Sequence, residues 1–192
     1  AKLVKTLGIP VVAVLLKGAY LSCPRWADRS RKGRIDISYK LLLNPREIAE
    51  MSVEEIYEQL KAGLDHNEYA WQEKNMVSFR GPRPAERLEL MLFACPHCQT
   101  NGTMISKNNR FFCNKCNYAV SYNSYGYFEI DPLSSTPEKH FESPKQWNEW
   151  QLSFLEELIN GSSETILQDE RVVLSKGIGG EKRKEPLKVE EL

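Results

Sequence analysis

The stretch that decides the fold is "FACPHCQTNGTMISKNNRFFCNKCNYAV", residues 93–120, which holds four of the chain's 5 cysteines in two identically spaced pairs. Two residues separate Cys95 from Cys98, fourteen residues follow, and Cys113 and Cys116 repeat the pair. This spacing lets two tight turns, or knuckles, close a tetrahedral thiolate site around a divalent ion, the arrangement of a zinc ribbon. Between the pairs, "TMISKNNRFF" suits a hairpin with its turn at Lys107 to Asn109. Four thiolates on one divalent ion leave two formal negative charges in excess, which Lys107, Arg110, Lys115 and His97 are placed to offset. His97 is a potential ligand as well, but it sits inside a knuckle whose flanking cysteines already suit the geometry. With sulfur at all four positions the site is closed and structural, leaving no position for a water or substrate. Zinc is the expected ion. Iron, in a rubredoxin-like site, is the less expected one, because soft thiolates accept both. Cys23, in "LSCPRW", has no partner in the pattern and reads as an inert small residue.

Around this segment lies an ordinary chain of 192 residues with 41% apolar side chains, enough for one substantial domain or two small ones. Lys and Arg total 26 and Asp and Glu total 26, so no global field draws the molecule to nucleic acid or to an anionic membrane. The longest apolar run, Ile9 to Leu16, is far short of the ~20 residues a spanning helix needs, and the N-terminus lacks the zones of a signal peptide. Cysteines in metal spacing without a secretory signal point to a reducing compartment, so the expected location is the cytoplasm.

Before residue 80, "IPVVAVLLKGAY" reads as a strand buried on both faces of an α/β sheet. "GRIDISYKLLL" alternates, with Ile35, Ile37, Tyr39 and Leu41 on one face and Asp36, Ser38 and Lys40 on the other, which predicts a half-exposed strand. Ser52 and Glu55 form a capping-box pattern ahead of Val53, Ile56, Tyr57, Leu60 and Leu64 at helical spacing. "RGPRP" at 80–84 reads as a linker. Beyond the cysteines, Ser143, Pro144 and Gln146 open a helix that Gly161 ends. Its stripe of Trp147, Trp150, Phe154 and Leu158 reads as core. The last 31 residues read as strands joined by turns. The expected organisation is an α/β portion over 1–80, the ribbon over 81–130, a loop and amphipathic helix over 131–161, and the start of a β domain over 162–192.

Within the first portion, Gly8, Ile9, Pro10, Val11, Val12, Ala13 and Val14 resemble a sequence block of the bacterial 1-acylglycerol-3-phosphate acyltransferase family, with Ala13 where a second proline is common. In that family a helix ends at a short Gly-Val/Ile-Pro segment, a buried strand follows, and then come a glycine, a basic loop and an alternating strand. The helix with "SVEEIYEQLKAGL" resembles the next family element, and some members carry a Cys-rich ribbon after it. The resemblance implies a remnant of an acyltransferase α/β sheet domain followed by a small four-cysteine zinc ribbon and further α+β elements. It also implies transfer of a fatty acyl group from a thioester carrier to a lysophospholipid-like acceptor.

That chemistry uses a His and an Asp separated by four residues, and a Phe-Pro-Glu-Gly-Thr-Arg-like block for the acceptor's phosphate. Neither occurs here. His66, His97 and His140 are followed five positions on by Trp71, Gly102 and Lys145. The chain is therefore expected to be a fragment, inactive alone, with no catalytic residue of its own. The resemblance gives the one local basic segment, Arg25, Trp26, Arg29, Arg31, Lys32 and Arg34, a role in meeting lipid phosphates at an anionic membrane surface, as in a peripheral membrane protein. A solvated loop is the plainer reading. The rival functional classes are a zinc-ribbon module binding nucleic acid or protein, and an iron electron carrier. Nucleic acid is disfavoured by the absence of a basic stripe across the ribbon.

Overall fold

The computed structural model of the protein describes residues 1–132, 134 and 140–161, so the strands expected over 162–192 lie outside the described residues. Residues 1–152 form one compact unit, and residues from Ser153 onward belong to a second. The fold class is α+β, with two antiparallel sheets.

Helix α1 (Lys2–Leu7) ends at Gly8, whose φ of 59° is the left-handed geometry that lets a helix stop within one residue. Pro10 then commits the chain to extended backbone, and strand β1 (Val11–Lys17) begins. Gly18 turns the chain at φ 89° into the short helix α2 (Ala19–Ser22). A loop leads to strand β2 (Asp36–Leu43), which pairs antiparallel with β1. Helices α3 (Pro45–Glu50) and α4 (Val53–Leu64) follow, each opened by a complete capping box, Asn44 with Glu47 and Ser52 with Glu55. The boundaries expected for α4 from the apolar spacing are those observed. A small core of Leu43, Ile48 and Ile56, with Val4, Val11 and Leu60 around it, holds these elements together.

The β1–β2 ribbon departs from the expectation in two ways. It is a two-stranded antiparallel sheet, not part of a parallel one, and of β1 only Ala13 is buried. The alternation in β2 has the expected period with the opposite face turned inward: Ile35, Ile37, Tyr39 and Leu41 are exposed, while Asp36 and Ser38 are half-buried. Helix α4 covers only one side of the ribbon, packing Gly63 against Leu42, where any side chain would collide with the leucine.

After α5 (Glu68–Asn75), the chain enters the second and larger core. Strands β3 (Met104–Lys107), β4 (Arg110–Cys113), β5 (Ala119–Tyr122) and β6 (Phe128–Ile130) form a meander in sequence order. Their inward residues, Met104, Phe111, Val120, Tyr122 and Phe128, meet Trp147 of helix α6 (Pro144–Gly161). Trp147 is fully buried, with ring centroids 5.2 Å from Phe111, 5.5 Å from Phe128 and 5.8 Å from Tyr118. Trp147 is thus the core residue the stripe predicted, and Trp150 lies against Phe141 at its margin with the rings tilted by 31°. Phe154 and Leu158 lie beyond the first unit.

The expected boundary near residue 80 is bridged by packing. Trp26 is 2% exposed and belongs to the larger core, edge-on to Tyr20 and Tyr122. "RGPRP" is pinned rather than loose, because Arg80 and Lys32 exchange both backbone hydrogen bonds at 2.8 Å.

Candidate metal centre

The two cysteine pairs sit on turns of matching geometry, and the hairpin between them brings those turns together. In each knuckle the first cysteine's N–H donates to a carbonyl five residues on, Cys95 to Thr100 at 3.1 Å and Cys113 to Tyr118 at 2.8 Å. The residue after the second cysteine is left-handed in both, Gln99 at φ 52° and Asn117 at φ 61°. That conformation costs a non-glycine residue on the order of 1 kcal/mol, and its repetition marks what the knuckle requires. The β3–β4 hairpin, turning at Asn108 with φ 58°, folds Met104 opposite Cys113 and closes the gap.

All four sulfurs lie within 4.8 Å of one another. Cys95 Sγ is 3.6 Å from Cys116 Sγ, and Cys98 Sγ is 3.7 Å from Cys113 Sγ. A disulfide would require about 2.05 Å, whereas a tetrahedron with metal–sulfur bonds near 2.3 Å requires about 3.8 Å between sulfurs. The distances are those of four ligands sharing one ion. Cys95 and Cys113 are buried, and Cys98 and Cys116 half-buried, so the site is closed from one side by the core.

Backbone N–H groups aim at the sulfurs: those of His97 and Cys98 at Cys95, Thr100 at Cys98, Tyr118 at Cys116 and, at 3.4 Å, Lys115 at Cys113. Such donors spread the negative charge that four thiolates concentrate. Burial pushes the Cys95 and Cys116 thiols up. At Cys98 burial acts in the same sense but is outweighed by hydrogen bonds from Thr100 and the neighbouring sulfurs, which bring its thiol down to about 6. Lys115 Nζ donates to Thr100 Oγ1 at 2.9 Å, placing a cation beside the cluster. Arg110 is committed elsewhere, to Asp131 at 2.6 Å, and His97 is exposed and outside the sulfur cluster. The cluster can hold a metal ion of the soft, thiolate-binding kind, and zinc and iron both fit that description.

Several supporting residues carried no signal in the cysteine spacing. Thr103 Oγ1 lies 3.3 Å from Cys113 Sγ. Gln151, 1% exposed, accepts from Phe93 N–H at 3.0 Å and donates to Asn148 Oδ1 at 2.9 Å and to the Met91 carbonyl at 2.7 Å. Trp147 Nε1 donates to the Ala94 carbonyl at 2.9 Å. One turn of α6 thus holds the backbone that leads into Cys95. A Trp followed four positions on by a Gln, both on the inner face of the helix, was the available hint.

The basic segment is split by the fold. Arg25, Arg29, Lys32 and Arg34 are exposed, but Trp26 and Arg31 are not, which removes them from any lipid-facing set. Arg31 lies over the Tyr122 ring at 5.0 Å and the Trp26 ring at 5.9 Å, and donates to Tyr122 Oη at 3.3 Å and the Pro84 carbonyl at 2.5 Å. The energetic reason is that a guanidinium, weakly hydrated and planar, can trade water for two aromatic faces and a carbonyl. His66 contacts a carboxylate, Glu68 at 2.6 Å, two residues on and not at the acyltransferase spacing. Among the described residues no helix is long and apolar enough to cross a membrane. No family model, curated protein or solved structure matches the chain.

Proposed function

We propose that the chain is a C-terminal part of a glycerophospholipid acyltransferase that carries a structural zinc ribbon. The observation that carries this reading is the order of elements at the N-terminus. A helix ends at Gly8, Ile9 and Pro10 lead into β1, Gly18 ends the strand, the short α2 and a basic loop follow, and then come β2, α3 and α4. Apart from the short α2 and α3 this order supports the resemblance, although β1 is an exposed strand in a two-stranded sheet where the family has a buried one. The reaction of the whole enzyme would move a fatty acyl group from a thioester to a lysophospholipid hydroxyl, with no metal in the chemistry. The cysteine cluster would hold zinc and fix the fold from outside the reaction, since four sulfurs fill a tetrahedral ion's coordination. Arg25, Arg29 and Lys32 remain the exposed cations available to lipid phosphates at an anionic surface. Arg34 is partly engaged by Asp36 at 3.1 Å.

The reading requires a general base that these 192 residues do not supply at the family's spacing. The experiment is to read the complete open reading frame for a His and an Asp separated by four residues, and to assay its product with labelled acyl thioester and lysophosphatidic acid. Acyl transfer by that product, and none above background by residues 1–192 alone, is expected. A reading frame without the pair, or a product with no transfer, refutes the proposal.

A further inference from the structure

The β1–β2 ribbon presents an apolar face that no described element covers. Val12, Val14 and Leu16 stand beside their cross-strand partners Leu41, Tyr39 and Ile37, so all six side chains point to one side. Each is between 45% and 72% exposed. Exposed Ile35, in phase with Ile37, extends the patch at one end. These seven exposed apolar residues present on the order of 700 Å², above the ~300–600 Å² that the largest patch on a monomer usually reaches. A two-stranded sheet is also marginal without further strands or a covering layer.

We infer that this face is the interface of a homodimer, in which two copies stack their β1–β2 ribbons face to face. The area is the first argument: it falls within the roughly 600–1,000 Å² per partner that a stable protein interface buries. The second is shape. A two-fold axis parallel to the strands, lying between the ribbons, sets β1 of one copy over β2 of the other. Tyr39, the largest and most exposed residue of the face, then lies over Val14 of the second copy, and Leu41 over Val12. Large side chains meet small ones twice, as an isologous interface requires. The third is charge. The six positions carry none, and equal totals of 26 basic and 26 acidic residues leave no net repulsion between copies. An anionic lipid surface is the less suited occupant, because the patch lacks a ring of cations and the nearby Arg34 is paired with Asp36. The two ribbons would form a sandwich about 10 Å thick, with four strands in two layers.

Sedimentation equilibrium on residues 1–192 tests the inference, alongside a Tyr39→Lys, Leu41→Asp double variant. The expected result is a concentration-dependent dimer for the parent chain, and a dissociation constant raised at least a hundredfold in the variant. Unchanged metal content and far-UV circular dichroism would show that the variant is folded. Should it not fold, a second measurement stands independently. Val14→Cys and Tyr39→Cys single variants, each made in a Cys23→Ser background and kept metal-loaded, should be joined by a short bis-maleimide when mixed, since sheets about 10 Å apart leave facing Cα atoms too far apart for a direct disulfide. A parent chain that is monomeric at all concentrations overturns the inference. So does a dimer that survives the double variant without cross-linking at these positions, or a monomer that sediments with phosphatidylglycerol vesicles through this face.

Discussion

Replacing Gln151 by Leu keeps the volume of a fully buried side chain and removes its hydrogen-bonding atoms. Three backbone groups lose a partner, the Phe93 N–H held at 3.0 Å, the Ala94 N–H at 3.4 Å and the Met91 carbonyl held at 2.7 Å. Each buried group left unpaired costs about 1–3 kcal/mol, so the two shorter contacts alone should make the variant less stable by about 2–6 kcal/mol. For a unit of this size, about 2–4 °C of Tm is lost per kcal/mol, which gives a fall on the order of 10 °C. The assay is thermal unfolding of metal-loaded protein followed by near-UV circular dichroism. Leu152→Gln, at the next and exposed position, serves as the control and should shift Tm by no more than about 2 °C. Because Phe93 and Ala94 lead directly into Cys95, a chelator should also strip the metal faster from the Gln151→Leu variant. A Tm within about 1 °C of the parent would refute the reasoning, for it would mean that the backbone before the first knuckle finds other partners at no cost.

Two further outcomes follow from the core around the cysteines. Purified protein should contain about one zinc per chain, and Cys113→Ser should lose most of it. Chelation should shift tryptophan fluorescence to the red as Trp26 and Trp147 meet water, because binding energy of metal is folding energy in small ribbons; absence of zinc and iron by elemental analysis would refute the site. At alkaline pH, burial holds the Tyr118 and Tyr122 phenols above their ordinary value near 10. The folded state therefore keeps protons that the unfolded state releases, so the stabilisation is full below about pH 10 and declines as the pH rises beyond it. Absorbance at 295 nm should show fewer than 8 tyrosines titrating before the unfolding transition, and all of them after it; complete titration of a still-folded chain would contradict the burial.

The features legible in the sequence were those fixed within one or two turns of chain. Ser52 and Glu55 announced α4 because a capping box is completed by neighbours three residues apart, and both of its hydrogen bonds are present. The cysteine pairs announced the metal centre because each knuckle is a local turn. Burial was a different matter. Alternation in β2 shows that its two faces differ, but which one is covered depends on where α4 lies, and α4 lies against the less apolar side. The same holds for Trp26 and Arg31. A basic segment containing a tryptophan has the composition of a lipid-facing loop, and only the position of Tyr122, 91 residues beyond Arg31, turns the guanidinium inward. Gln151 was illegible for a related reason, since its partners are backbone groups 58 and 60 residues away.

The insertion of Trp26 and Arg31 among the ribbon's aromatics bears on how this piece of chain can be cut or moved. A zinc ribbon is often thought of as a cassette that could be excised and attached to another protein. Here a cut at residue 81 would leave behind an indole and a guanidinium that belong to the ribbon's own interior. The excised piece would carry a hole beside Tyr122, whose ring meets Trp26 edge-on at 6.1 Å. A hole of that size is costly, because replacing a buried tryptophan with a void loses about 3–5 kcal/mol. The smallest transplantable segment therefore begins ahead of Leu21 and carries the first strand's exit with it.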